Sequence, residues 1–275
     1  MAAMGDQVRV PSPGLRPYVD SMVGYHEVMD PRAVHHGLPS PSATVIIAFD
    51  EPLDTAWLGD PTSRDRYWTL AAGLHPEPAL IRTHGIQHGI QLGLTPAGVR
   101  RFLGLPVGAL ATSLVHHQDL PLGISEHLRE ELEALPDWSA RFDRLERHLA
   151  GLAVDDPGPI RPELTHAWYL LTGARPTRVA EAASEVGWSR RHLASRFRDE
   201  FGITPQDAVR VARFDTARRL ANAGRPLAEV AALAGYADQP HLTREWRRLA
   251  GQTPTATLAG PFPIVQDGDG LGIAS

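Results

Sequence analysis

The strongest constraint on how this chain folds is an internal repeat near its C-terminal end. Set residues 179–205 over 227–254, and Val179 meets Leu227, Ala182 meets Val230, Ala183 meets Ala231, Gly187 meets Gly235 and Trp188 meets Tyr236. One residue is then inserted, and the match resumes with Leu193 on Leu242, Phe197 on Trp246, Gly202 on Gly251 and Pro205 on Pro254. A repeat of this length is one supersecondary unit used twice. Each copy reads as a helix, a tight turn at Gly187 or Gly235, and a second helix capped by Ser189 or Asp238. The second helix of each copy has an apolar pair at i and i+4, Leu193 with Phe197 and Leu242 with Trp246. Those pairs are expected to be buried, leaving the opposite face to polar side chains.

That is the pattern of a helix-turn-helix. Between the copies, Pro205 to Asn222 reads as one continuous helix. At ~1.5 Å per residue such a helix spans about 27 Å, close to the ~34 Å between successive major grooves on one face of a duplex.

The charge distribution points the same way. The chain has 275 residues, 27 basic and 32 acidic, net −5, and every basic residue is Arg. Residues 175–259 hold 14 Arg against 9 acids, net +5, whereas residues 1–174 hold 13 Arg against 21 acids, net −8. A basic module on an acidic body suits a polyanionic partner. Arg brings a permanently charged planar fork that matches phosphate or guanine.

The N-terminal half has a different texture. Residues 44–49 form a compact, partly β-branched apolar run bounded by turn residues, and 55–58, 67–71, 80–83 and 89–94 are weaker strand candidates. From Pro96 the pattern becomes helical: 96–103, then 125–135, then a helix capped by Asp137 that ends near Gly151. The expected class is therefore α+β. A sheet-rich, sensor-like domain with trailing helices (1–153) is followed by a Pro-rich linker (154–162), an all-α domain (163–259) and a disordered tail (260–275).

Residues 177–258 resemble the DNA-binding domain of the AraC/XylS family. The resemblance rests on Gly187-Trp188-Ser189, Leu193, Phe197, Gly202, Pro205, Arg213, Ala217, Leu220, Gly235-Tyr236, Leu242, Arg244, Trp246, Gly251 and Pro254. A fainter resemblance to the N-terminal domain of an AraC-like subgroup rests on residues 15–19 and 92–98. The sequence departs from the family at Ala208, where an aromatic is usual, and at Ser195, where Arg is common. The resemblance implies a bacterial, cytoplasmic transcription regulator that binds double-stranded DNA. It also implies modulation through the N-terminal domain by a small-molecule effector or a homodimer contact, and contact with RNA polymerase if the protein activates.

In the first reader helix the candidates for base contact are Arg190, Arg191, His192 and Ser195, with Ala194 beside them; in the second they are Gln239, His241, Thr243 and Arg244, with Pro240 beside them. Arg196, Arg198, Arg213, Arg247 and Arg248 are candidates for phosphate or structural contacts.

Two other classes stay open. A helical-repeat adaptor could use the same repeat for protein contacts, and a sheet domain could carry an activity built from distant residues. The absence of Cys excludes a thiol nucleophile and thiolate metal sites, and no Gly-x-Ser-x-Gly elbow, phosphate loop or His-Glu-x-x-His is present. No catalytic role, cofactor or metal is therefore assigned. The adjacent pairs His35-His36 and His116-His117 diverge, and His84 and His88 would lie about 13 Å apart on an extended strand. No apolar run is long enough to span a membrane.

Overall fold

A computed structural model describes residues 6–111, 113–116, 119–120, 124–152 and 158–259. Residues 154–157 of the expected linker and the whole of the expected tail lie outside the described residues.

The N-terminal half is an antiparallel two-sheet structure. The larger sheet orders β1 (Gln7–Val8), β2 (Val19–Val28), β9 (Ile86–Leu94), β4 (Ala43–Phe49), β7 (Thr69–Ala72) and β10 (Leu114–His116). The smaller orders β3 (Val34–Gly37), β8 (Ala79–Arg82), β5 (Leu53–Trp57) and β6 (Asp60–Tyr67). Side-chain alternation decides which residues meet. On β4, Ile46 turns between the sheets to join Tyr25, Leu53, Tyr67, Leu70 and Ile81. Val45, Ile47 and Phe49 turn the other way, beneath α1 (Pro96–Leu103), α2 (Glu126–Ala134) and α3 (Trp138–Gly151).

Two strands have weak sequence signals. β2 is the second strand of the larger sheet, between the short β1 and β9, and its run contains Asp20, Ser21, Gly24, His26 and Glu27, so its polarity hides its burial. β6 is an edge strand, polar along most of its length and carrying Pro61, so it has no apolar face to detect. By contrast, the caps at Thr95, Ser125 and Asp137 each accept a backbone N–H of their helix, and the three helices fall where expected.

The C-terminal half is all helix: α4 (Pro162–Thr172), α5 (Val179–Glu185), α6 (Arg190–Phe201), α7 (Pro205–Asn222), α8 (Leu227–Leu233), α9 (Gln239–Ala250) and α10 (Pro254–Leu258). The joining helix α7 has the predicted bounds, with Thr204 as its cap and Pro205 in its first turn.

Its two halves are packed differently. The core of α4–α6 is continuous with that of the N-terminal domain, from Leu92 and Phe102 to Leu193, Phe197 and Phe201. The core of α8–α9 is separate, built from Phe214, Val230, Leu242, Trp246 and Leu249 with one N-terminal residue, Leu38.

Candidate nucleic-acid interface

The two repeats fold into the same order of helix, glycine turn and capped helix, and each shared residue has a physical task. Gly187 and Gly235 take φ of +71° and +75°, the left-handed turn that a Cβ disfavours. Ser189 Oγ accepts the His192 N–H at 3.2 Å, and Asp238 Oδ1 accepts the His241 N–H at 2.7 Å. Leu193, Phe197, Leu242 and Trp246 are fully buried beneath their helices. Trp188 meets His192 edge-on at 4.6 Å, and its counterpart Tyr236 meets His241 edge-on at 5.3 Å.

Both second helices are thus fixed at their N-terminal ends with one polar face free. On α6, Arg190, Arg191, His192, Ser195, Arg196 and Arg198 are exposed and Ala194 is half-buried. On α9, Gln239, Pro240, Arg244, Arg247 and Arg248 are exposed, while His241 and Thr243 are half-buried.

A groove runs between the two motifs along α7. Arg190, Arg191, Ala194 and Arg198 of α6 line it together with Arg210 and Arg213 of α7 and Arg175 and Arg178 before α5. A groove walled by seven Arg side chains focuses positive potential along the joining helix. Ser195 and the α9 candidates do not line it, so the second reader helix presents a separate face. Sequence reasoning missed Arg175, Arg178 and Arg210, whose only signal was the net charge of the segment. Nothing in local periodicity places a loop arginine beside α6.

Three candidates have structural work visible in the fold. Arg213 donates to the carbonyls of Ala234 (3.3 Å) and Gly235 and lies 4.3 Å from the Tyr236 ring centroid, tying α7 to the second turn. His241 Nδ1 accepts the Ala237 N–H at 3.3 Å, which leaves the other ring nitrogen as donor. Arg196 lies 3.9 Å from Asp199. Burial pushes the Tyr236 hydroxyl up to about 12, so it stays neutral beside Arg213.

The N-terminal domain grips both reader helices at equivalent ends. Gly202 and Gly251 close α6 and α9 at φ of +77° and +71°. A Cβ on Gly202 would lie 2.6 Å from that of Ala111, and one on Gly251 would lie 2.7 Å from Leu58 Cδ2. Arg100 donates to both Glu200 carboxylate oxygens at 2.6 and 2.7 Å, and His36 Nδ1 donates to the Ala250 carbonyl at 2.5 Å.

The histidines sort differently from their sequence pairing. His84 contacts Asp54 at 3.1 Å, while His26, Asp50 and His88 bring ligand-type atoms within 4.8 Å of one another. His88 Nδ1 donates to Asp50 at 2.9 Å, and its Nε2 faces the Arg141 guanidinium at 3.4 Å. The lone pair a cation would need is therefore turned toward a positive group.

Residues 164–260 match the family model described as a helix-turn-helix domain. Residues of this chain are 31% identical over 162 positions to an AraC-like transcription regulator of Streptomyces antibioticus, covering 56% of this chain and 48% of that protein. The C-terminal region is an AraC-type helix-turn-helix domain. The AraC-type domain carries a second likeness, 36% identity over 78 residues to the transcriptional regulator LumQ of Photobacterium leiognathi, covering 28% of this chain and 32% of that protein. The chain thus spans half or less of the length of these curated relatives. Across both domains the fold resembles that of ToxT from Vibrio cholerae, with a TM-score of 0.54 at 11% identity over 86% of this chain and 97% of that one.

Proposed function

We propose that this chain is a sequence-specific DNA-binding transcription regulator whose N-terminal domain biases the AraC-type module through a ligand or self-association. The carrying observation is the pair of equivalent reader helices, both capped, both buried on one side and both offering Arg on the other, joined by the 18-residue α7. In this reading Arg191 and Arg244 meet base edges, with Arg190, Ser195, Gln239 and Thr243 beside them. Arg198, Arg247 and Arg248 meet phosphate, as do Arg175, Arg178 and Arg210 in the groove. His192 and His241 then act mainly at the turns.

The reading is that of a binding protein of the cytoplasm, with double-stranded DNA as partner, and with RNA polymerase as a second partner if it activates. Among the described residues no helix is long and apolar enough to cross a membrane.

Selecting bound sequences from random duplex DNA with the purified full chain tests it. An enriched motif of two half-sites about one helical turn apart is the expected result. Affinity should fall steeply with salt as phosphate-bound counterions are released. A salt-insensitive protein partner with no enriched DNA would replace this reading with the adaptor.

A further inference from the structure

We propose that the outer face of the smaller sheet carries a site for a phosphoryl dianion, formed by Arg64, Arg66 and Arg82 around Asp54. The site goes beyond the DNA-binding reading and does not depend on it. None of these four residues lines the arginine groove along α7.

Strand pairing builds the site. Asp54 on β5 lies directly opposite Arg66 on β6 and Arg82 on β8, so the three form one row across neighbouring strands. At ~4.8 Å between strands, the two arginines start about 10 Å apart with the acid midway. Alternation puts Arg64 on the face of Arg66, while Leu53, Tyr67 and Ile81 turn to the core between the sheets. His84, just past β8, joins the row with Nε2 at 3.1 Å from Asp54 Oδ2 and 3.4 Å from Arg66 Nη2.

The row is unbalanced. Asp54 is fully buried, whereas Arg64 and Arg66 are exposed and Arg82 is half-buried. Arg64 donates to both carboxylate oxygens, at 2.9 and 2.6 Å. Arg66 Nε and Arg82 Nη1 come only to 3.8 Å from that carboxylate, beyond hydrogen-bond reach. Arg82 Nη1 is buried and has no hydrogen-bond partner among the described residues. One carboxylate thus gathers three guanidiniums and saturates one. Asp65, between Arg64 and Arg66 in sequence, turns away toward His116, with Oδ2 at 3.4 Å from its Nε2.

The ligand class follows from charge and geometry. Three guanidiniums against one carboxylate leave two positive charges uncompensated, on the acidic half of the chain. A phosphomonoester carries about −1.5 to −2 at neutral pH and offers three acceptor oxygens. Guanidinium forks match that geometry, and a buried donor left open is costly until an acceptor arrives. A carboxylate or a phosphodiester brings a single charge and leaves one guanidinium unmatched. Val34, opposite Arg82 on β3 and exposed, offers an apolar wall to the organic part of an ester.

The test follows the His84 ring signals of the full chain by NMR, assigned by their loss in His84→Gln. Phenyl phosphate, inorganic phosphate and phenyl sulfate are titrated at constant ionic strength. A saturable shift with phenyl phosphate is expected, with monoanionic phenyl sulfate about tenfold weaker or worse. Arg66→Gln and Arg82→Gln should each weaken phenyl phosphate about tenfold. Circular dichroism melts confirm that each variant is folded. Arg66 is exposed on an edge strand, so its variant carries the test if Arg82→Gln does not fold.

Phenyl phosphate binding severalfold tighter than inorganic phosphate marks an organic ester as the ligand, and equal affinity marks free phosphate. Both support the site. The proposal is overturned if neither phosphate gives a saturable shift, if phenyl sulfate binds as well as phenyl phosphate, or if affinity survives both arginine substitutions.

Discussion

Replacing Trp246 by Ala is the sharpest test of how the second motif stands. The indole is fully buried, meets Phe214 edge-on at 5.1 Å, and donates from Nε1 to Thr257 Oγ1 at 2.9 Å. A buried aromatic removes roughly 150–250 Å² from water, worth about 4–6 kcal/mol at ~25 cal/mol/Å². Ala recovers a little of that and leaves a cavity, so a loss of about 3–5 kcal/mol is expected.

The Thr257 hydroxyl still donates to the Thr253 carbonyl, so the orphaned hydroxyl adds little. The damage should also be local. Trp246 belongs to a core separate from that of α4–α6 and the sheet domain, so α8 and α9 should open first. Hydrogen exchange on Trp246→Ala should therefore show amides of α8 and α9 losing protection while α6 and β4 keep theirs, with DNA affinity lost in parallel.

The companion Phe197→Ala should lose a similar amount, but its opening should spread into the N-terminal domain because its core is shared. The reasoning is refuted if Trp246→Ala melts like wild type yet loses DNA, because Trp246 would then act at the surface. Uniform loss of protection across the chain would refute the division of the core.

Other expectations follow from the same geometry. Arg244→Ala should cost about 1–3 kcal/mol on the selected site and relax preference at one base pair; equal loss on random DNA would make Arg244 a phosphate contact. Arg100→Ala leaves the Glu200 carboxylate, 10% exposed, without its partner, and should cost roughly 2–4 kcal/mol in denaturant melts. Paired with Glu200→Gln in a double-mutant cycle, the two losses should be far from additive.

In the smaller sheet, the Asp54 carboxyl is held down to about 2, chiefly by its hydrogen bond from Arg64. Its stabilising charge is present above the ordinary carboxylate range and is lost as pH falls from about 4 toward 2. Asp54→Asn should flatten that acid limb of the stability curve.

Much of the reading module was legible before folding because its determinants are local. A Gly at a left-handed turn, a Ser or Asp cap, and an apolar pair at i and i+4 each act within a few residues. Seeing them twice fixed the register of α5–α6 against α8–α9 and the bounds of α7. The sheet domain was legible only where strands bury one continuous apolar face, as at β4. β2 pairs along its length with β9 yet carries Asp20, His26 and Glu27, and only its cross-strand partners show that it is buried.

The sequence by itself determined the helices, the turns, the repeat and the sign of the charge on each half, since these depend on spacing and residue type. Tertiary structure alone decided which distant groups meet. It set Arg175, Arg178 and Arg210 beside α6 in one groove. It gave Glu200 to Arg100 and, among the described residues, left the Arg101 Nε without a hydrogen-bond partner. It joined the first motif to the core of the sheet domain and gave the second a core of its own, which Leu38 reaches. The Arg100–Glu200 pair joins residues a hundred positions apart, and no local pattern encodes which of two adjacent arginines finds the acid.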